Sequence, residues 1–404
     1  MSAPIRVGRF ELIEPKSNRN GHPLKPVGRS GHCSVADDGN LYVFGGYNPQ
    51  GPLATWDEAF EGHNVITLPI SLEKQGILPE LWIFNFATKR WCAPETRGVT
   101  PTAAASSSII LLKDKLLVYG GTVFPFGHLM SNSLFLLDLS KDFTWKRING
   151  TGHGHELPLA TYGQSTLVHD EHLYVFAGAF SFHLEPVNDL HRLNIKTLKW
   201  EKIAAFGNLP NGSYKQEMAI DPAGSCFYVL GGGHLAGAIG LEQFNVYHFE
   251  TRTWSSKHTT ADPKHGFPKS RSSFGCVQRD GWVVILGGRH YSVNVLDVLN
   301  VGLDDVWALE LGSLQWTKLE IVLPKPMYFH TVSLAPSGML YIYGGIVEHE
   351  QRSSDIYQLR LFAPTLAELA WQKLIEKTDS FNNISRADLK NVGLPSGYID
   401  RLPP

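Results

Sequence analysis

The sequence predicts an all-β protein, a six-bladed β-propeller closed by its own N-terminus and followed by a short α-helical tail. Three observations predict it. A β-rich run ending in a small-residue pair recurs six times, five of the six are followed by a tryptophan that stands 28 to 33 residues before the next pair, and past Pro364 the apolar period changes from two to 3.6.

The composition suits many short strands and tight turns: among 404 residues there are 39 Gly and 24 Pro, with 11% aromatic and only 18% charged residues. A net charge of −2 provides no global positive field for nucleic acid or an anionic membrane, so neither is expected as a partner. Cys33, Cys92, Cys226 and Cys276 are scattered without a C-x-x-C pair, and are expected to be reduced, buried thiols of a cytosolic or nuclear protein. Met1 to Lys16 has no apolar leader core, and no later stretch is long and apolar enough to span a bilayer.

In chain order, Phe10-Glu-Leu-Ile13 comes first, with Phe10 preceding the first glycine pair by 35 residues, close to the 28 to 33 that separate each blade tryptophan from the next pair. It is assigned to the last blade, so that both termini share one sheet and no edge is left open. The repeated runs are Leu41-Tyr-Val-Phe-Gly-Gly46, Leu116-Leu-Val-Tyr-Gly-Gly121, Leu173-Tyr-Val-Phe-Ala-Gly178, Phe227-Tyr-Val-Leu-Gly-Gly232, Val283-Val-Ile-Leu-Gly-Gly288 and Leu340-Tyr-Ile-Tyr-Gly-Gly345. Each is read as the second strand of a four-stranded blade. A third strand and then Trp91, Trp145, Trp200, Trp254 or Trp316 complete the first five. The sixth has Asp355-Ile-Tyr-Gln-Leu359 but no tryptophan, because the slot is filled from the N-terminus. The propeller therefore occupies residues 1–362 and the tail 363–404. Two long connections interrupt the regularity, an insertion from Tyr47 to Pro79 and an extended loop from Arg289 to Asp304.

In the tail, Thr365 N-caps a helix with Glu368 three residues on, and Leu366, Leu369, Ala370, Leu374 and Ile375 form an apolar stripe with Trp371 beside it. A second helix is predicted from Ser385, boxed by Asp388, to Gly393.

The glycine-pair and tryptophan pattern resembles the kelch repeat, from about residue 8 to residue 362. The tail spacing Thr365-Leu366-x-x-x-Ala370-x-x-x-Leu374 resembles the box by which substrate receptors bind Elongin C. The residues that follow resemble a Cullin-2 box, with Ile384-Ser385 where a hydrophobic-Pro pair is usual. Together with phrases such as Gly31-His32, Tyr47-Asn48-Pro49 and Tyr328-Phe329-His330, the chain resembles the kelch substrate receptors of cullin-RING ubiquitin ligases. That resemblance implies a non-catalytic adaptor with Elongin C, Elongin B and Cullin-2 as partners, reading the C-terminal degron of its substrates. Elongin contacts are expected at Leu366, Leu369, Ala370, Trp371 and Leu374.

A ligand is expected where the loops entering the innermost strands meet those leaving the glycine pairs. The residues sixteen before each pair are Arg29, Ala104, Thr161, Lys215, Arg271 and Tyr328. Tyr162, Tyr214 and Ser272 are adjacent, and Arg289 enters from the second set of loops. Recurrent cations near the axis of a slightly acidic protein call for an anionic guest, and a peptide's terminal carboxylate suits the two-pronged grip of arginine. No nucleophile elbow, phosphate-binding loop or paired-carboxylate motif appears, and His153-Gly-His155 and His169-x-x-His172 lack a carboxylate or cysteine at ligand spacing. No enzyme activity, cofactor or metal is expected. The alternative reading is a plain kelch scaffold that binds actin or a signalling protein and has no need of the tail.

Overall fold

Six antiparallel sheets of four principal strands stand around one axis in the computed structural model. It describes residues 5, 8–17, 25–50, 76–140, 142–152, 154–181, 186–234, 236–294, 297–378 and 384–403. Most of the insertion expected from Tyr47 to Pro79 lies outside the described residues, as does His153. Blade one comprises Cys33–Ala36, Asn40–Phe44, Leu81–Asn85 and Arg90–Cys92. The other glycine-pair runs supply the second strands of blades two to six in the same way. In blade six, Glu11–Ile13 pairs antiparallel with Ile356–Arg360, matching Glu11 to Gln358 and Ile13 to Ile356. The N-terminus thus closes the ring, as expected.

The five blade tryptophans are each at most 4% exposed. Four of them pack on the aromatic residue just before the glycine pair of the preceding blade. Trp91 meets Tyr343 at 5.1 Å, Trp145 meets Phe44 at 5.3 Å, Trp200 meets Tyr119 at 5.8 Å and Trp254 meets Phe176 at 5.1 Å between ring centroids. The core is therefore a set of inter-blade layers, each useless without its neighbour, which is why a single blade cannot fold alone.

The glycine pair has a specific task. Its second residue donates its N–H to the next blade: Gly46 to the carbonyl of Ala104, Gly121 to Thr161, Gly178 to Ser213, Gly232 to Arg271, Gly288 to Met327 and Gly345 to Arg29, at 2.8–3.2 Å. A Cβ on the first residue, Gly45, would lie 2.2 Å from the Ala104 carbonyl oxygen, so a side chain there would push the blades apart.

The loop expected from Arg289 to Asp304 is instead a β-hairpin, Arg289–Asn294 with Asp297–Gly302, which joins the short strands Gly233–His234 and Gly237–Ala238 in an additional sheet. Alternating apolar residues over this stretch satisfy strand geometry better than a loop.

The tail forms three helices, α1 (Leu366–Lys377), α2 (Arg386–Asn391) and α3 (Ser396–Ile399). Thr365 caps α1 through the Glu368 N–H at 3.2 Å, and Ser385 caps α2 through the Asp388 N–H at 3.0 Å. Trp371, Leu389, Ile399 and Leu402 make a small core of their own. Arg401 ties it to blade one, pairing with Glu368 at 2.8 Å and Asp38 at 3.2 Å, while Asn85 donates to the Arg401 carbonyl at 2.8 Å.

Candidate functional site

The entry to the axis is built from the residues that open each innermost strand. One residue per blade bridges to the loop leaving the glycine pair: Ser30 to Tyr47, Ala105 to Thr122, Tyr162 to Ala179, Tyr214 to Gly233, Ser272 to Arg289 and Tyr328 to Ile346. The next residue of each blade, Gly31, Ser106, Gly163, Lys215, Ser273 or Phe329, joins its N–H to the corresponding carbonyl of the preceding blade, at 2.6–3.2 Å. These six bonds form a closed ring around the axis. All six residues have φ between 53° and 67°, a conformation disfavoured for side-chain-bearing residues and held here by the ring itself.

This ring corrects the sequence alignment of the mouth. Arg29, Ala104, Thr161 and Arg271 are equivalent, but their partners in blades four and six are Ser213 and Met327, since these accept the glycine-pair N–H bonds. Lys215 lies two positions further along and Tyr328 one. The cause is the turn between the first two strands: the partner of the residue just before the glycine pair stands 13 residues back in blade four (Glu217 with Leu230) and 12 in blade six (Thr331 with Tyr343), against 11 in the other blades. A constant spacing of sixteen slips by that difference.

The slip matters because the two levels do different things. Arg29 and Arg271 are fully buried. The Arg271 guanidinium makes a two-pronged ion pair with Asp305 at 2.7 and 3.0 Å and donates to the carbonyls of Gly287 and Lys269, both at 3.0 Å. Arg29 pairs with Glu80 at 2.7 Å and donates to the Gly45 and Val27 carbonyls. The same acids accept from Trp307 and Trp82. Both arginines are blade struts, and neither lines the mouth cavity where the sequence spacing puts them. Ser272 is also fully buried.

Tyr162, Tyr214, Lys215 and Phe329 are brought together in a mouth cavity of about 140 Å³, with Tyr47, Phe126 and Arg352 on its rim. Arg289 stands beside it, its guanidinium over the rings of Tyr291 at 4.9 Å, Tyr328 at 5.5 Å and Phe329 at 5.8 Å. Arg352, which sequence reasoning missed, stacks over Tyr47 at 5.7 Å. Neither guanidinium makes an ion pair within 4.0 Å among the described residues, and the Nε of each is buried without a hydrogen-bond partner there. Tyr328 donates to Glu350 at 2.6 Å, and burial followed by that carboxylate pushes its phenol up to about 12. Burial likewise pushes Tyr162 up to about 12. Both are neutral hydrogen-bonding groups at any physiological pH. Two half-buried cations on an aromatic floor can hold an anion whose attached chain packs against rings.

Below the mouth the axis continues as a cavity of about 290 Å³ lined largely by Ser, Thr, Gln and His side chains, with Lys215 and Glu217 as its charged residues. Burial brings Lys215 down to about 8 and Glu217 up to about 7, their mutual attraction opposing each shift. His32, Gln164 and Gln216 each use one side-chain nitrogen to bind the carbonyl just before the preceding blade's glycine pair. Among the described residues no group of three or more His, Cys, Asp and Glu could hold a metal ion, and no helix is long and apolar enough to cross a membrane.

The family model for the KLHDC2/KLHL20/DRC7 Kelch-repeats domain matches residues 8–178 and 59–288. The chain belongs to the kelch-repeat family. It is similar to Kelch domain-containing protein 10 of Rattus norvegicus, 36% identical over 98% of this chain and 91% of that protein. The Homo sapiens protein of the same name is 37% identical over 96% of this chain and 82% of its own length. The Drosophila melanogaster homolog is 28% identical over 94% of this chain and 62% of its own.

In this kelch chain the tail helix presents two distinct faces. Leu366 is 85% exposed, Leu369 43% and Leu374 38%, and Ala370 is exposed with them. Trp371 is 5% exposed, seated against Leu389, Ile399 and Leu402 and 5.2 Å from the Tyr398 ring. Four of the five residues expected to meet Elongin C thus lie on one open face. Trp371 does not, because it forms the core that positions the helix.

Proposed function

We propose that this kelch propeller is the substrate-recognition subunit of a cullin-RING ubiquitin ligase, carrying Elongin C, and with it Elongin B and Cullin-2, on its tail. The mouth holds the free carboxyl end of substrate chains, and the protein works in the cytoplasm and nucleus without chemistry of its own. The observation that supports the reading most is the tail. A helix fastened by Trp371 and by the Glu368–Arg401–Asp38 ion pairs still leaves Leu366, Leu369, Ala370 and Leu374 in water. An apolar row on a rigidly mounted helix is a surface for a partner, and its spacing resembles that of an Elongin box, with Ala370 where Cys is common. At the mouth, Arg289, Arg352 and Lys215 offer cations without an ion pair within 4.0 Å among the described residues, and Tyr162, Tyr214 and Phe329 the adjoining rings.

Co-purification of Elongin C with the full chain and with Leu374→Asp tests the tail. Capture by the parent chain and loss in the variant support the assignment, and absence of capture by the parent overturns it in favour of a plain scaffold. The mouth is tested with a random peptide library prepared as free acids and as amides. Removing the terminal charge strands cations that the bound peptide covers and costs about 2 to 5 kcal/mol, tens- to thousands-fold in affinity. Equal binding of the two forms would refute recognition of the carboxyl end.

A further inference from the structure

The axial cavity encloses several titratable groups, and all but two are held in one state. Burial lowers the pKa of His32 well below its usual value and that of His330 to about 4, so both are neutral. Burial raises Cys33 to about 12 and Cys276 well above the thiol range, so both stay protonated. Arg29, which faces His32, is matched by Glu80 at 2.7 Å. Lys215 and Glu217 remain. They line the same cavity of about 290 Å³, and of the two only Lys215 also lines the mouth. The Lys215 ammonium makes no ion pair within 4.0 Å among the described residues and lies 5.5 Å over the Phe329 ring. Its backbone is clamped into the axial ring through Gly163 and Ser273, so the group cannot withdraw by a backbone shift without opening that ring.

We propose that Glu217 is a proton switch for the mouth: when a ligand carboxylate reaches Lys215, Glu217 takes up a proton from solvent, so that ligand affinity falls as pH rises. The inference rests on the reading of the mouth as a carboxyl-end site. A single enclosed ammonium cannot neutralise two carboxylates, and a second anion in one cavity makes it costlier for Glu217 to stay ionised. Without ligand, Glu217 already titrates at about 7. The arriving carboxylate raises that value, so the complex binds more protons than the free protein at and above neutrality. Linkage then lowers affinity with rising pH, by up to about tenfold per pH unit for one coupled proton. Lys215 at about 8 acts in the same direction, because it loses the charge the ligand needs as pH rises.

The test is calorimetry of the full chain with the tightest free-acid peptide from a random nonamer library, from about pH 6 to about pH 9, in two buffers of different ionisation enthalpy. Wild-type protein should take up a substantial fraction of a proton at neutral pH and lose affinity steadily above it. Glu217→Gln should bind more tightly than wild type above neutrality, with the proton uptake clearly reduced at neutral pH and only the uptake and the fall due to Lys215 left. A wild-type affinity independent of pH, without proton uptake, overturns the switch while leaving the mouth assignment standing, and that measurement needs no variant to fold. Proton uptake unchanged in folded Glu217→Gln also overturns it. A library that yields no free-acid binder removes the mouth reading and the switch together.

Discussion

Replacing Arg271 by alanine separates a strut from a ligand grip. The side chain is fully buried, and its guanidinium donates four hydrogen bonds, two to Asp305 at 2.7 and 3.0 Å and one each to the Gly287 and Lys269 carbonyls at 3.0 Å. Alanine strands a largely buried carboxylate and two carbonyls at the start of the blade. Breaking a buried pair from one side costs about 3 to 5 kcal/mol. Asp305 keeps its bond from Trp307 at 2.7 Å and 18% of its side-chain surface, which places the loss toward the lower end of that range. Burial alone would raise the Asp305 pKa, but Arg271 outweighs it and holds the carboxyl below its ordinary value. Its contribution is therefore present above the unfolded carboxylate pKa and disappears as pH falls through the folded one, so the variant's deficit should shrink in acid. Denaturant unfolding of wild type, Arg271→Ala, Asp305→Asn and the double variant measures the coupling directly. Peptide affinity of the folded single variant should be close to wild type. A tens-fold loss of peptide binding with an unshifted unfolding midpoint would refute the strut and restore Arg271 to the mouth.

Three further outcomes follow from the same geometry. Leu366→Asp, Ala370→Asp and Leu374→Asp should each abolish Elongin C capture with stability changed by no more than about 0.5 kcal/mol, because the sites are exposed, whereas Trp371→Ala should lower capture by releasing the helix, with its tail core lost first in hydrogen exchange. Deleting residues 1–16 removes the strand paired with Ile356–Arg360 and should lower the thermal midpoint of the whole propeller, and an unchanged midpoint would show that the closure is dispensable. Glu217→Gln should stabilise the ligand-free protein at neutral pH on the order of 1 to 3 kcal/mol, with the gain vanishing by about pH 4, since a carboxyl whose pKa is raised by folding loses stability as pH climbs from its unfolded to its folded value. Chemical unfolding at the two pH values checks it.

The fold was legible because the repeat is written in the sequence: six pairs of small residues, five of them glycine pairs, where the chain turns tightly against the next blade, and tryptophans phased to fill the layers between blades. The site was less legible because its register depends on turn length, which no strand pattern records. A usable signal was present. Pro26, Pro101, Pro158, Pro210, Pro268 and Pro324 each stand three residues before the residue that accepts the glycine-pair bond, and counting forward from them reaches Ser213 and Met327 where counting back from the glycines reaches Lys215 and Tyr328. The struts also announce themselves, since Glu80 and Asp305 precede Trp82 and Trp307 by two residues, and each accepts from its tryptophan and from one buried arginine. Arg352 carried no such mark: it reaches the rim through a short loop whose path only packing determines.

The tail shows a different limit. At 100° per residue, Glu368, Trp371 and Ile375 share one face of α1 and Leu366, Ala370 and Leu374 the other, so the sequence offers two faces with apolar residues and no means of telling the docked one from the free one. The decision is made from outside the helix. Arg401 lies 33 residues after Glu368 and also pairs with Asp38 of the propeller, so the face carrying Glu368 turns toward the propeller, where Arg401 neutralises the carboxylate. Trp371 follows it into the small core with Leu389, Ile399 and Leu402. The row left outside is thereby fixed in direction by an ion pair on the opposite side of the helix, which is the arrangement a rigid bridge between a substrate-holding propeller and a second protein requires.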